Sequence, residues 1–172
     1  MRVALHYPWV YLKGGAERTL LQLMKRSRHQ WTLFTNHYDP ESTFPEFEAL
    51  DLVQLTRVSV RRSVFHAGHA VGTMLAQRLP LRGHKAVMTA VESLGNLTTV
   101  RTNGVPLMCL CLTPLRVAYD PIIRSHFEAT ASPVTRMAVR AFCALDRQLW
   151  KRYQRVFAIS QEVQARLVNA RW

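Results

Sequence analysis

The chain has 172 residues, of which 48% are apolar and 20% charged. That is enough to bury a core of its own and about the length of one ordinary domain. No apolar run approaches the roughly 20 residues needed to cross a bilayer, and the first residues alternate as a strand does where a signal peptide would have an apolar centre, so the expected location is the cytoplasm. The net charge of +12 points to an anionic partner, with nucleic acid, an anionic lipid surface and phosphorylated substrates all open, or to a solvated basic face.

The first stretch, MRVALHYPWVYLKGGAERTLLQL, reads as strand, loop and helix. Val3 and Leu5 alternate, Pro8 breaks the run, and helical periodicity begins at Ala16 behind Gly14-Gly15. Glycines here take φ > 0 or bring bare backbone close to a ligand, and the helix N-terminus behind them favours a phosphate or another anion. A tight turn with no ligand is the alternative. Trp31 to Asn36 is β-branched and aromatic and returns as a parallel strand, which makes a βαβ unit. Leu52 to Leu55 is a short third strand.

From Arg57 to Lys85 the pattern changes. Val64, Phe65, Met74, Leu75 and Leu79 mix with Arg61, Arg62, His66, His69, Arg78, Arg82 and Lys85. Such a basic amphipathic stretch lies on an anionic membrane, receives an anionic acceptor, or packs on the sheet with a basic rim. Arg61, Arg62, Phe65 and Arg78 are the candidate contacts. His66 and His69 share a helix face without a third ligand, so no metal site is expected.

Ala86 to Val91 and Pro106 to Leu112 are continuous apolar runs of the kind found in central parallel strands. The loops behind them, Glu92-Ser93 and Thr113-Pro114-Leu115-Arg116, should converge with the Gly-Gly loop at the carboxyl edge of the sheet. Cys109 and Cys111 share one strand face and cannot easily bridge. With Cys143 on a helix, three free thiols suit a reducing compartment. Ser132-Pro133 starts the longest helix, whose expected core stripe is Val134, Ala138, Ala141, Leu145 and Leu149, with Arg136, Arg140, Arg147 and Lys151 opposite. Arg155 to Ile159 is a last short strand, and Ser160 caps a final helix. The fold class is therefore α/β, a Rossmann-like, mainly parallel sheet with helices on both faces.

Three segments together resemble the N-terminal, acceptor-side domain of retaining glycosyltransferases of family 4, which have the two-domain GT-B architecture. They are Lys13-Gly14-Gly15-Ala16-Glu17-Arg18, Cys111-Leu112-Thr113-Pro114-Leu115-Arg116 and Phe157-Ala158-Ile159-Ser160, in matching order over nearly the whole chain. The look-alikes are mannosyltransferase-like enzymes of polysaccharide and glycolipid assembly. The resemblance implies that Gly14, Gly15, Arg18, Glu92, Ser93, Thr113, Arg116 and Ser160 bind donor or acceptor, with a nucleotide-sugar as substrate and a glycan or lipid-linked acceptor. It assigns no catalytic residue, metal or other cofactor here. It also implies a second domain or partner subunit that holds most of the nucleotide-sugar site, so residues 1–172 are half of such an enzyme.

Two positions depart from the family. Leu112 stands where members carry His before Thr-Pro, and it neither hydrogen-bonds nor exchanges a proton. Ile159-Ser160 stands where they read Asn-Ser. These departures favour a second expectation, a non-catalytic binding or scaffold subunit with the same fold. Nucleic acid is not an expected partner, since the chain lacks the aromatic and basic interleaving of an RNA-recognition motif and any helix-turn-helix pattern. A dinucleotide-dependent oxidoreductase is disfavoured because the first turn lacks G-x-G-x-x-G.

Overall fold

The structure is a computed structural model that describes residues 1–60, 64–92, 94–102 and 104–169. Six strands form one parallel sheet: β1 (Arg2–His6), β3 (Gln30–Thr35), β5 (Leu52–Gln54), β6 (Ala86–Glu92), β7 (Leu107–Thr113) and β8 (Arg155–Ala158). Their order is β5-β3-β1-β6-β7-β8. The chain builds outward from β1 to β3 and β5, then returns to β6 and builds the other way. This reversal makes the β1/β6 boundary the topological switch point, where open α/β sheets bind their ligands.

The two central strands are apolar on both faces because helices cover both. Val3 and Leu5 pack with Leu20, Leu21 and Met24 of α1 (Gly15–Arg26). Ala4, pointing the other way, joins Phe34, Leu79 and Val87. α2 (Val64–Ala76) places Ala70 and Met74 beside Val58, Leu97 and Leu149. Around β7 and β8, Cys109 and Cys111 meet Tyr119, Trp150, Val163 and Leu167, the last two from α6 (Gln161–Asn169). All three cysteines are free and buried.

The expected strands are present, with ends moved by one or two residues. A two-residue pair, β2 (Trp9–Val10) with β4 (His37–Tyr38), forms a small second parallel sheet that no periodicity announces. The segment after Pro114 holds α3 (Arg116–Tyr119) and α4 (Pro121–Thr130), so the second half of the expected loop is helical. Asp120 caps α4, its carboxylate accepting the N–H groups of Ile122 and Ile123, and Pro121 takes the first helical position.

α5 (Pro133–Trp150) starts at Ser132 as expected, but it buries a different face. Val134 is 71% exposed, Ala138 and Ala141 are exposed, and Leu145 is 37% exposed; of the expected stripe only Leu149 is buried. The buried positions are Cys143, Asp146, Leu149 and Trp150. Two causes act together. The N-terminal half of α5 lies against α4, tied by Arg140 to Glu128 at 2.8 Å and by Arg136 Nη1 donating to the Glu128 carbonyl. In the C-terminal half the polar Asp146 sits at the centre of the buried face, because Asn96 Nδ2, the Tyr119 hydroxyl and Trp150 Nε1 all donate to its carboxylate at 2.7–3.0 Å. Three donors make burial of a carboxyl tolerable, although desolvation still raises its pKa.

Candidate functional site

Parallel pairing puts the carboxyl ends of β1, β6, β7 and β8 along one edge. Glu92 at the end of β6 pairs with Thr113 at the end of β7, across a register shift after Val91 that skips Leu112, and Cys111 pairs with Ala158 just before Ile159-Ser160. Across the switch point, the Tyr7 hydroxyl donates to Glu92 Oε2 at 2.9 Å. Tyr7 follows β1 directly, so this bond adds a side-chain tie across the switch point to the β1–β6 ladder.

The loop from β1 reaches α1 through Gly14, the N-cap, whose backbone is extended (φ −96°, ψ 176°) and which makes no side-chain cap. The glycine is needed for close approach rather than for positive φ. A Cβ on Gly14 would lie 2.7 Å from Glu17 Oε2, whereas one on Gly15 would meet nothing within 4 Å. Glu17, at the third helical position, folds back so that its carboxylate accepts the N–H groups of Leu12 and Gly14 as well as its own. This is the glutamate half of a capping box, and it places a negative charge at the positive end of the helix. The anion at this helix end is therefore the protein's own, where the sequence leads one to expect a phosphate.

The electrostatics follow. Glu17 is 2% exposed, and burial raises its pKa, with Glu92 adding to the rise and the backbone donors opposing it. Burial, followed by Glu92 and Glu17, holds the Tyr7 phenol protonated well above its ordinary range. Tyr7 and Glu17 are thus buried beneath the half-buried Glu92, an acidic, hydroxyl-bearing cluster at the switch point. Behind it, His6 is fully buried. Its Nε2 donates to Asn36 Oδ1 at 3.2 Å, and Nδ1 lies 3.2 Å from the Thr98 hydroxyl. Desolvation lowers its pKa to about 4 despite the Asn36 bond.

The sequence-derived residues divide into four groups. Gly14, Gly15, Glu92 and Thr113 lie in this edge, Thr113 half-buried with its hydroxyl donating to the Leu112 carbonyl. Arg116 is exposed and 3.9 Å from Asp120, which also pairs with Arg166 of α6 at 3.5 Å; Ser160 caps α6, accepting the Val163 N–H at 3.2 Å. Arg18 stands over the Phe44 ring, 5.7 Å from its centroid, and Arg78 is exposed beyond the end of α2. Phe65 is exposed in α2, while Arg61, Arg62 and Ser93 lie outside the described residues. Leu112 is 3% exposed and packs in the α1-side core. Tyr7 and Glu17 are absent from the sequence-derived set. The Gly14-x-x-Glu17 spacing, the capping-box interval, is the signal that identifies Glu17.

No group of three His, Cys, Asp or Glu side chains among the described residues is placed to hold a metal ion. No helix among them is long and apolar enough to cross a membrane.

The strand order defines the class of open, doubly wound parallel α/β domains, a class whose ligands gather at the switch point of the sheet. No family model matches the chain, and no curated protein matches it in sequence. Among solved structures, Acinetobacter baumannii MurG aligns with a TM-score of 0.47 and 10% identity, over 95% of this chain and 42% of that one. The chain thus spans less than half the length of that protein.

Proposed function

We propose that the chain is the acceptor-side domain of a GT-B glycosyltransferase related to family 4. In this reading it works with a second domain or partner subunit to transfer a hexose, mannose being the first candidate, from a nucleotide-sugar to a polysaccharide or lipid-linked glycan at the inner face of a membrane. The observation that carries the reading is the gathering of Gly14-Gly15, Glu92 and Thr113 along the carboxyl edge at the β1/β6 switch point, in the order of the family's segments.

The chemistry fits a neutral, hydroxyl-rich acceptor better than a diphosphate at this edge, where Glu92 is the half-exposed carboxylate. Carboxylates accept hydrogen bonds from sugar hydroxyls, while Glu17 already occupies the helix N-terminus and two carboxylates repel phosphate. Stabilising the departing nucleotide anion then falls to the second domain. A crevice with one wall neither excludes water nor preorganises a leaving group, so the chain by itself turns over no sugar.

The test is a transfer assay with common nucleotide-sugars and lipid-linked acceptors, run on the chain alone and on the chain joined to a second α/β domain. Turnover only in the joined form supports the reading. Robust turnover by the chain alone, free of a co-purifying protein, sinks the half-enzyme part.

The second reading, a non-catalytic binding subunit, is favoured by Leu112. Its side chain is part of the core at the place where the family carries a histidine, so no proton-transferring group stands there. Leu112→His separates the two. Added activity in the joined protein marks a degenerate enzyme, and a variant that keeps its fold and still transfers no sugar marks a binding subunit.

A further inference from the structure

We infer that the free edge of β8 is a docking site for an extended, acidic segment of a partner protein, which adds to the sheet as its next strand. β8 ends the sheet, with β7 as its one neighbour among the described residues. The register of that pair, with the Ile159 N–H donating to the Cys111 carbonyl, turns Arg155, Phe157 and Ile159 towards β7. Val156 and Ala158 therefore turn their N–H and C=O groups outward, away from every described strand.

The side chains of β8 do not guard this edge. Edge strands are normally blunted by charges or proline, yet the run from Val156 to Ile159 has neither. Val156 is 42% exposed and Phe157 45%, and as neighbours they point to opposite faces, so the sheet is uncovered on both sides here. A parallel strand normally has a helix on each face. At the other edge, Leu52 and Val53 of β5 are half-buried.

A cavity of about 540 Å³ lies along β8, between the end of α5 and the last turns of α6. Trp150, Phe157, Ala158 and Leu167 are among its apolar walls, and no carboxylate lines it. A strand added to β8 makes main-chain bonds to Val156 and Ala158 and sends alternate side chains into this groove, the usual division between affinity and specificity in such pairing.

The charge around the edge selects the partner. From Arg147 to Ser160 the sequence carries Arg147, Lys151, Arg152 and Arg155 and no acid. All four cations are exposed, and none makes an ion pair among the described residues. A second copy of the chain brings the same cations to the contact, and a lipid surface has no main chain to pair. An apolar strand flanked by carboxylates satisfies both the edge and its rim. Docking here is independent of sugar transfer and is tested without turnover.

The probe is a displayed library of random twelve-residue peptides, selected on the full chain at low salt. Enriched peptides should carry Asp or Glu beside a run with Val, Ile, Phe or Tyr at alternate positions. The preferred peptide, made synthetically, should bind one to one in calorimetry and weaken about tenfold or more at high salt. Hydrogen exchange should slow at the Val156 and Ala158 amides when it binds. N-methylation of alternate peptide nitrogens separates its two edges, since the set facing β8 should lose about tenfold or more and the other set little.

Phe157→Asp should weaken the peptide about tenfold or more, while Val134→Asp, at an exposed apolar position on α5, should leave it unchanged. The N-methyl comparison keeps its meaning even where Phe157→Asp disturbs folding. Selection of peptides without the acidic, alternating pattern overturns the proposal. So do equal losses from the two N-methylated sets, or unchanged exchange at Val156 and Ala158. Slowing of those amides by anionic vesicles and not by peptide makes the edge a membrane contact and overturns it as well.

Discussion

At the scale of single residues, Gly14 and Gly15 look interchangeable in the sequence and do different work in the structure. Gly14 makes room for the Glu17 carboxylate, whereas Gly15 is an ordinary first residue of α1 with open space where a Cβ would be. Gly14→Ala should therefore push Glu17 off its backbone donors and cost about 1–2 kcal/mol, the usual loss for a broken helix cap. Gly15→Ala should stabilise by about 0.4–1 kcal/mol by restricting the unfolded chain. Urea unfolding of both variants checks the contrast. A cycle with Glu17→Ala isolates the cause, because Gly14→Ala should lose most of its cost once the carboxylate is gone.

His6 gives a pH signature. Its native pKa of about 4 lies below the ordinary 6.5, so the fold favours the neutral ring. The unfolded state binds the extra proton as pH falls from 6.5 towards 4. Stability is thus fully present above pH 6.5 and drains away across that window, by about 3 kcal/mol in all. The raised carboxyls of Glu17 and Asp146 act in the opposite sense, losing stability as pH rises through their native pKa values. The His6 contribution is therefore read as a difference. His6→Gln should remove the decline between pH 6.5 and 4 that the parent shows in unfolding free energy, and parallel pH profiles would refute the assignment.

At the scale of elements, α5 shows how a correct helix can be given the wrong face. Val134, Ala138, Ala141 and Leu145 keep helical spacing in the sequence, yet the structure leaves all four exposed and buries Asp146 one position round. Leu149→Ala should cost about 2–5 kcal/mol. Val134→Lys and Met137→Lys, at positions 71% and 69% exposed, should stay within about 0.5 kcal/mol of the parent. Thermal unfolding of the three variants separates the two faces.

The same contrast explains what the sequence made legible. β1, β6 and β7 are apolar on both faces because helices cover both, so their runs are continuous and mark central parallel strands. Their shared carboxyl edge follows from parallel pairing, which located Gly14, Glu92 and Thr113 before any side chain was seen. What stayed hidden depends on partners distant in the chain. Asp146 is bearable in the core because of Asn96 and Tyr119, and α4 buries no side chain that would print a stripe. The strands of the β2/β4 pair are two residues each, too short for alternation. Glu17 was readable as a cap, and Tyr7 gains meaning only from Glu92, 85 residues later.

At the scale of the whole molecule, a net charge of +12 sets the terms of association. Under the proposed function the anionic surface is a membrane carrying the acceptor, and the basic stretch between Arg57 and Lys85 is the proposed contact. Phe65, Ile122, Val134 and Met137 are large apolar side chains held in solvent, so shallow insertion has more than one place to occur. The α4–α5 pair competes with the basic stretch for the role, since the exposed Arg124 accompanies its exposed apolar residues. Each cation near an anionic surface contributes on the order of 1 kcal/mol at modest salt, and the contribution fades as the Debye length shrinks. Co-sedimentation with anionic vesicles should therefore be strong at low salt, weak at high salt and absent with neutral vesicles. Arg61→Glu with Arg62→Glu should reduce binding sharply if the basic stretch leads, and Ile122→Ser with Met137→Ser should do so if the α4–α5 pair leads. Equal binding to neutral and anionic vesicles, or indifference to both pairs, would make the charge a solvated face and remove the membrane from the proposed function.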